Sequence, residues 1–347
     1  MTRMAEDRTA PEPPATAEEI ITERKRRIFS AKTLVFFILS LFLLWYLLRK
    51  IDYRQTLDTF LLARPDMLIY SCLAYTAANI FKTLRYFLLL KNLNLDFFDH
   101  YTVSSYQNFF NQILPARTGE LTFVYYLKKF SSASLSTGLH VLLLTRIFDF
   151  IVVSAFFIGS LLLYYGRQTS GTLLVAGVLF FIVSVILLFK LKWLVLLGAK
   201  IFSLAMRMLR LGSIGLVKKI ESKIDPVVAE FSDFETMRHL PGLAMSSLLV
   251  WMALYLFSYL TLRAFGVDIG LLLSIAGSTG GVLANVLPIN SFGSFGTLEA
   301  GWTAGFVLVG VSAQDAITTG FGYHIINFFV SAVLAAFCWV VQRTRKR

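Results

Sequence analysis

Ionisable side chains interrupt stretches of this sequence that are otherwise apolar. Lys82 and Arg85 stand three residues apart, as do Arg146 and Asp149. Arg117 and Glu120 lie in NQILPARTGE (Asn111 to Glu120), and Glu299 follows a run dense in Gly, Ser, Asn and Pro that begins at Gly277. At the centre of a bilayer such a charge costs roughly 2.5–3.5 kcal/mol on insertion scales, so each must face a protein interior or a cavity. A spacing of three puts both members of a pair on one helical face. Guanidinium groups match phosphate oxygens through paired hydrogen bonds, so Arg85, Arg117 and Arg146 together point to a site for an anionic head group. Glu120, Asp149 and Glu299 would limit its positive charge or exchange protons. With Asn111 and Asn285, each beside a Leu-Pro step, these residues form the candidate binding set. The competing reading is architectural: Arg146 and Asp149 pair within one helix while Arg117 and Glu120 brace a turn.

Other chemistries find no support. His, Cys and carboxylates nowhere adopt metal-ligand spacing, so no metal or cofactor is expected. His140 and His324 are isolated in apolar runs and read as hydrogen-bonded packing residues. The glycines between Gly277 and Gly296 lack the GxxxxGK[ST] and GxGxxG patterns of phosphate-binding loops. A nucleophile elbow and an HExxH motif are also missing, so no catalytic residue is assigned. Cys72 and Cys338 sit far apart in apolar runs, which excludes a disulfide framework. Trp45, Trp193, Trp251, Trp302 and Trp339 read as lipid-facing or interfacial anchors.

The elements that must hold these residues are membrane helices. Hydrophobic residues fill 56% of 347 positions and charged ones 16%, which excludes an ordinary water-soluble domain. Full crossings are expected at residues 31–48, 67–90, 135–164, 171–190, 241–264 and 315–342, six in all, the third long enough to tilt. Basic residues Arg24 to Arg27 and Arg343 to Arg347 place both termini in the cytoplasm. The net charge of +12 is therefore assigned to anionic lipid head groups rather than to nucleic acid. Residues 1–23, rich in Pro, Ala, Thr and Glu, read as a disordered tail, and 24–347 as a single transmembrane domain. Within it, residues 191–240 form a cytoplasmic segment in which Val217, Ile220, Ile224, Val227, Phe231 and Phe234 repeat at helical spacing.

Two stretches cannot be simple crossings. Residues 101–130 are broken by Pro115 and Gly119, and 266–311 by Pro288, Gly293 and Gly296. Unpaired backbone groups cannot face lipid, so both breaks must be shielded or line a cavity. The expected fold is thus an all-α polytopic membrane protein with two re-entrant hairpins of opposite orientation, an arrangement that fits an inverted repeat.

The blocks NQILPARTGE (Asn111 to Glu120), TRIFDF (Thr145 to Phe150) and LPINSFGSFGTLEA (Leu287 to Ala300), with Arg85 in KTLRYF, resemble the lysylphosphatidylglycerol synthase transmembrane-region family, a flippase-like membrane domain. The resemblance covers nearly the whole chain from about residue 30. It carries family motif positions onto Asn111, Pro115, Arg117, Gly119, Glu120, Arg146, Asp149, Pro288, Gly293, Gly296 and Glu299. His324 departs from the basic residue of relatives. Two-domain members add a soluble aminoacyl-transfer domain that this sequence does not contain, so aminoacylation is not expected. The resemblance implies a translocator of phospholipids, hopanoids or polyprenyl-linked lipids in a bacterial plasma membrane. Its expected partners are anionic lipids, a separate lipid-modifying synthase and a second copy of the chain. A membrane-embedded glycosyl or lipid transferase is the alternative, although Asp52, Asp58 and Asp66 make no DxD pair. A non-transporting partner subunit of a lipid-modifying enzyme is the other.

Overall fold

The computed structural model describes residues 38, 41–114, 118–166, 171–172, 174–175, 177–186, 190, 197, 234–286 and 292–345, and among these all regular structure is helical. The expected tail over 1–23 and nearly all of the amphipathic segment over 191–240 lie outside the described residues, as do Pro115, Arg117 and Pro288.

Helix α1 covers residues 41–48, α2 Tyr53–Leu61 and α3 Pro65–Leu89. Asp52 starts α2 by accepting hydrogen bonds from the Arg54 and Gln55 amides, and Pro65 starts α3 where a missing N–H costs nothing. Asp96 caps α4, Phe97–Ile113, through the Asp99 amide. After the break, α5 runs over Glu120–Phe130. Ser134 caps α6, Leu135–Tyr165, which ends at Gly166 with φ of 53°. An apolar helix α7 covers Gly177–Ile186. Then follow α8 over Phe234–Ala264, α9 over Leu271–Val286, a 3-10 turn at Phe292–Ser294, α10 over Thr297–Leu308 and α11 over Ala313–Arg345.

Helices α6, α8 and α11 are long and apolar enough to cross a bilayer. With 25 residues α3 spans about 37 Å, but it trades apolarity for a polar stripe. The expected crossing at 241–264 starts earlier than composition suggests: Phe234 belongs to α8, so the end of the segment read as amphipathic continues into this helix.

Helices α3 and α11 run in one direction and α8 in the opposite one. At one end the Asp52 amide donates to Gln314 Oε1 at 2.9 Å and the Arg64 amide to the Ala264 carbonyl at 2.8 Å, joining the starts of α2, α3 and α11 to the end of α8. At the other end Gln342 Nε2 donates to Asp99 Oδ1 at 2.9 Å, and Arg345 pairs with Asp96. Helix α3 lies along α8 in the most extensive contact of the fold.

Both broken stretches are helix–break–helix pairs. The arms α4 and α5 pack on each other, as do α9 and α10. In the second pair a side chain at Gly280 would meet the Gly301 carbonyl at 2.5 Å and Gly305 Cα at 2.8 Å, so backbone lies on backbone, the close approach that small residues permit in membranes. Helix α4 also touches the 3-10 turn, and a Cβ on Gly293 would stand 3.6 Å from the Gln112 carbonyl. The end of the first arm of one pair therefore meets the break of the other.

Candidate functional site

Tyr75, Asn79, Lys82, Arg85 and Tyr86 recur along α3 at steps of three, four and seven, so they form one stripe. That stripe faces a cavity of about 200 Å³ lined by α3, α4, α6, α8, α9, α10 and α11. Helix α4 contributes Asn108, Asn111 and Gln112, α6 contributes Arg146 and Asp149, and Asn285 enters from the end of α9.

Charge pairing in the cavity crosses between helices. Arg85 Nη1 donates to Asp149 Oδ1 at 2.5 Å and to Ser247 Oγ at 3.0 Å, and the paired side chains are only 2% and 7% exposed. Arg146 Nη2 donates to Glu120 Oε1 at 2.6 Å, whereas its Nη1 lies 3.9 Å from Asp149 Oδ2. The intrahelical contact of the architectural reading, Arg146 with Asp149, is thus the weaker one. Each residue prefers a partner on another element because a side chain on a neighbouring helix reaches it head-on.

Lys82 is paired differently. Its Nζ donates to the neutral amide Asn108 Oδ1 at 2.5 Å and lies 5.9 Å from the Tyr86 ring centre. Among the described residues no carboxylate lies within ion-pair distance of it. Among the described residues, Arg85 and Arg146 each have a carboxylate partner, Asp149 and Glu120, whereas Lys82 has only a neutral one.

A neutral amide network supports the wall. Asn79 Nδ2 donates to Ser105 Oγ at 2.9 Å, while its Oδ1 accepts from Ser104 Oγ at 2.8 Å and Asn108 Nδ2 at 2.9 Å. Arg85 Nε, Asn111 Oδ1, Trp251 Nε1 and Asn327 Oδ1 are buried without a hydrogen-bond partner among the described residues, and all four residues line the cavity. Each such atom costs roughly 1–3 kcal/mol, so the wall favours a polar occupant.

Of the expected binding set, Arg85, Asn111, Arg146, Asp149 and Asn285 line the cavity, and Glu120 joins through Arg146. Arg117 lies outside the described residues. Glu299 belongs elsewhere. It is fully buried at the start of α10, where Oε2 accepts from the Gly296 amide at 2.7 Å and Oε1 accepts from His324 Nδ1 at 2.6 Å. His324 is thus the buried, hydrogen-bonded residue that its place in an apolar run suggests, and its partner is a carboxylate. Gly293 and Gly296, with φ of 71° and 83°, turn the chain into α10. Gly119 precedes α5 so closely against Asn111 that no side chain fits there. Trp302, read from sequence as a lipid-facing anchor, is buried instead, with Nε1 donating to Thr319 Oγ1 at 3.2 Å. Asn79, Asn108, Ser247, Tyr255, Asn327 and Lys82 were outside the expected set. The helical stripe of polar residues in α3, with the polar run in α4, was the signal that marks the first two.

No curated protein matches the chain. The family model for the lysylphosphatidylglycerol synthase TM region matches residues 33–335, and it covers the cavity and both helix–break–helix pairs. The chain is a multi-pass membrane protein and belongs to that family.

Proposed function

We propose that this protein moves a lipid with an anionic head group across the plasma membrane of a bacterium, with both termini in the cytoplasm. The observation that carries this reading is the basic side chain of Lys82, which has no carboxylate partner among the described residues, in a cavity with buried polar groups beside the two helical pairs. A phosphodiester head group carries one negative charge, and Lys82 with the free edges of Arg85 and Arg146 would complement it. The acyl or prenyl chains stay in the bilayer, so only the head needs a polar path. Discontinuous helices near the midplane are how many transporters build such a site.

Reconstitution into vesicles with fluorescent phosphatidylglycerol in one leaflet tests the proposal, exchange being read by a membrane-impermeant quencher. Wild-type protein is expected to accelerate exchange, and Lys82→Gln to abolish most of it while leaving the fold intact. Exchange no faster than in empty vesicles, across phosphatidylglycerol, cardiolipin and a polyprenyl phosphate, would overturn it. Product formed from a lipid-linked sugar donor by the isolated chain would instead favour a transferase.

A further inference from the structure

A second basic feature lies outside the cavity, on the opposite face of the first helical pair. There α4, α5 and α11 enclose an open groove of about 600 Å³. One wall is aromatic: Tyr106 and Tyr126 have ring centres 4.6 Å apart, and Tyr126 also packs on Phe130 at 5.9 Å. The facing surface of α11 is Ala332, Ala335 and Ala336, whose short side chains leave the depth of the groove open. Phe109, in contact with Phe328 at 6.1 Å, closes the inner end.

The outer end carries charge. Lys129 ends α5 and Arg343 lies near the end of α11, and both line the groove. Arg343 lies over the Trp339 ring at 3.9 Å, and Lys129 is 5.7 Å from the Tyr126 ring centre. Ring faces hold both cations in place and take no charge from them. Neither has a carboxylate partner among the described residues, whereas the neighbouring Arg345 is bound to Asp96. Gln342 ties α11 to α4 at this level, so the two cations sit on a fixed frame.

We infer that this groove is a binding site for one phospholipid with an anionic head group, its phosphate held by Lys129 and Arg343 and one acyl chain lying between the aromatic wall and the alanines. Charge at one end and apolar surface along the remaining length match that molecule and no uniformly apolar one. A second copy of the chain fits less well. A two-fold axis along the membrane normal would set Lys129 and Arg343 of both copies at the same level, four cations together. The site is separate from the central cavity and does not depend on what the cavity transports.

Native mass spectrometry of the detergent-solubilised protein, titrated with phosphatidylglycerol or phosphatidylcholine, tests this. Lys129→Gln with Arg343→Gln is expected to weaken the tightest phosphatidylglycerol binding about 30-fold, at about 1 kcal/mol per basic residue, and to leave phosphatidylcholine unchanged. Ala336→Phe, at an exposed position, fills the groove without altering charge and is expected to remove the same bound lipid. Lys82→Gln should retain it, which separates this site from the cavity. Unchanged phosphatidylglycerol binding in both groove variants overturns the inference, and so does a shift from dimer to monomer mass in Ala336→Phe. Competition by soluble glycerol phosphate as strong as by the lipid would also overturn it.

Discussion

Arg85 and Asp149 are the most deeply buried ion pair of the cavity, and their burial sets what a substitution does. Removing one partner leaves the other charge buried without its counterpart, at a cost of roughly 3–5 kcal/mol. Arg85→Ala is therefore expected to lower the thermal unfolding midpoint sharply. The double change Arg85→Met with Asp149→Leu should recover most of that loss, because it removes both charges together. Measuring unfolding in detergent for all three proteins checks this, and equal destabilisation by the single and double variants would contradict it. Lys82 behaves differently, since it is only half-buried and its partner Asn108 is neutral. His324 is a third case: His324→Ala leaves the Glu299 carboxylate buried at the start of α10 with the Gly296 amide as its remaining bond. A loss of stability comparable to that of Arg85→Ala is expected, read by the same unfolding measurement.

At the scale of elements, the second helical pair depends on contact between backbones. A Cβ at Gly305 would already collide with the Gly277 carbonyl, so Gly305→Leu must push α10 away from α9. Overpacking of this kind costs typically about 1–3 kcal/mol, and more where backbone is the obstacle. The variant is expected to unfold at lower temperature, whereas Gly270→Ala, with open space around it, should not. The breaks themselves were legible in sequence, because clustered Pro and Gly cannot continue a helix. Their meeting was not: Gln112 and Gly293 are 181 positions apart (293 − 112), and no local pattern reports that contact. Nor did sequence show that Glu299 serves α10 and His324 instead of the cavity, since a carboxylate beside a break fits either place.

Across the whole molecule, opposite ends carry different fastenings, and one of them responds to pH. Hydrogen bonding to Arg345 holds the Asp96 carboxyl below the usual carboxylate range, with the Asp99 amide lowering it further against partial desolvation. A carboxylate whose folded value is depressed contributes stability above its unfolded value, roughly pH 4, and loses it as pH falls through the folded value. Wild-type protein should thus lose, on acidification below about pH 4, an increment of stability that Arg345→Gln lacks. The pair is half-exposed, so the increment is small. The direction of the two helical pairs is a second property of this scale. Single cysteines placed at Thr118 and Phe295 in a cysteine-free background should be labelled by an impermeant reagent from opposite sides of sealed vesicles. Labelling of both from one side would sink the opposed-hairpin arrangement.

The sequence by itself determined the membrane class, the three crossings over 135–164, 241–264 and 315–342, the two breaks and most of the charged residues around the cavity. Those follow from apolar runs, from Pro and Gly, and from the cost of a lone charge in hydrocarbon, all of which act along the chain. Only the tertiary structure decided the pairing: Arg85 with Asp149, Arg146 with Glu120, Glu299 with His324, and Lys82 with a neutral amide. Ion pairs depend on distances between helices, and helical spacing fixes which face a residue occupies but not what stands opposite. That same limit hid the buried role of Trp302 and the groove between α5 and α11, whose cations look in sequence like ordinary ends of membrane helices.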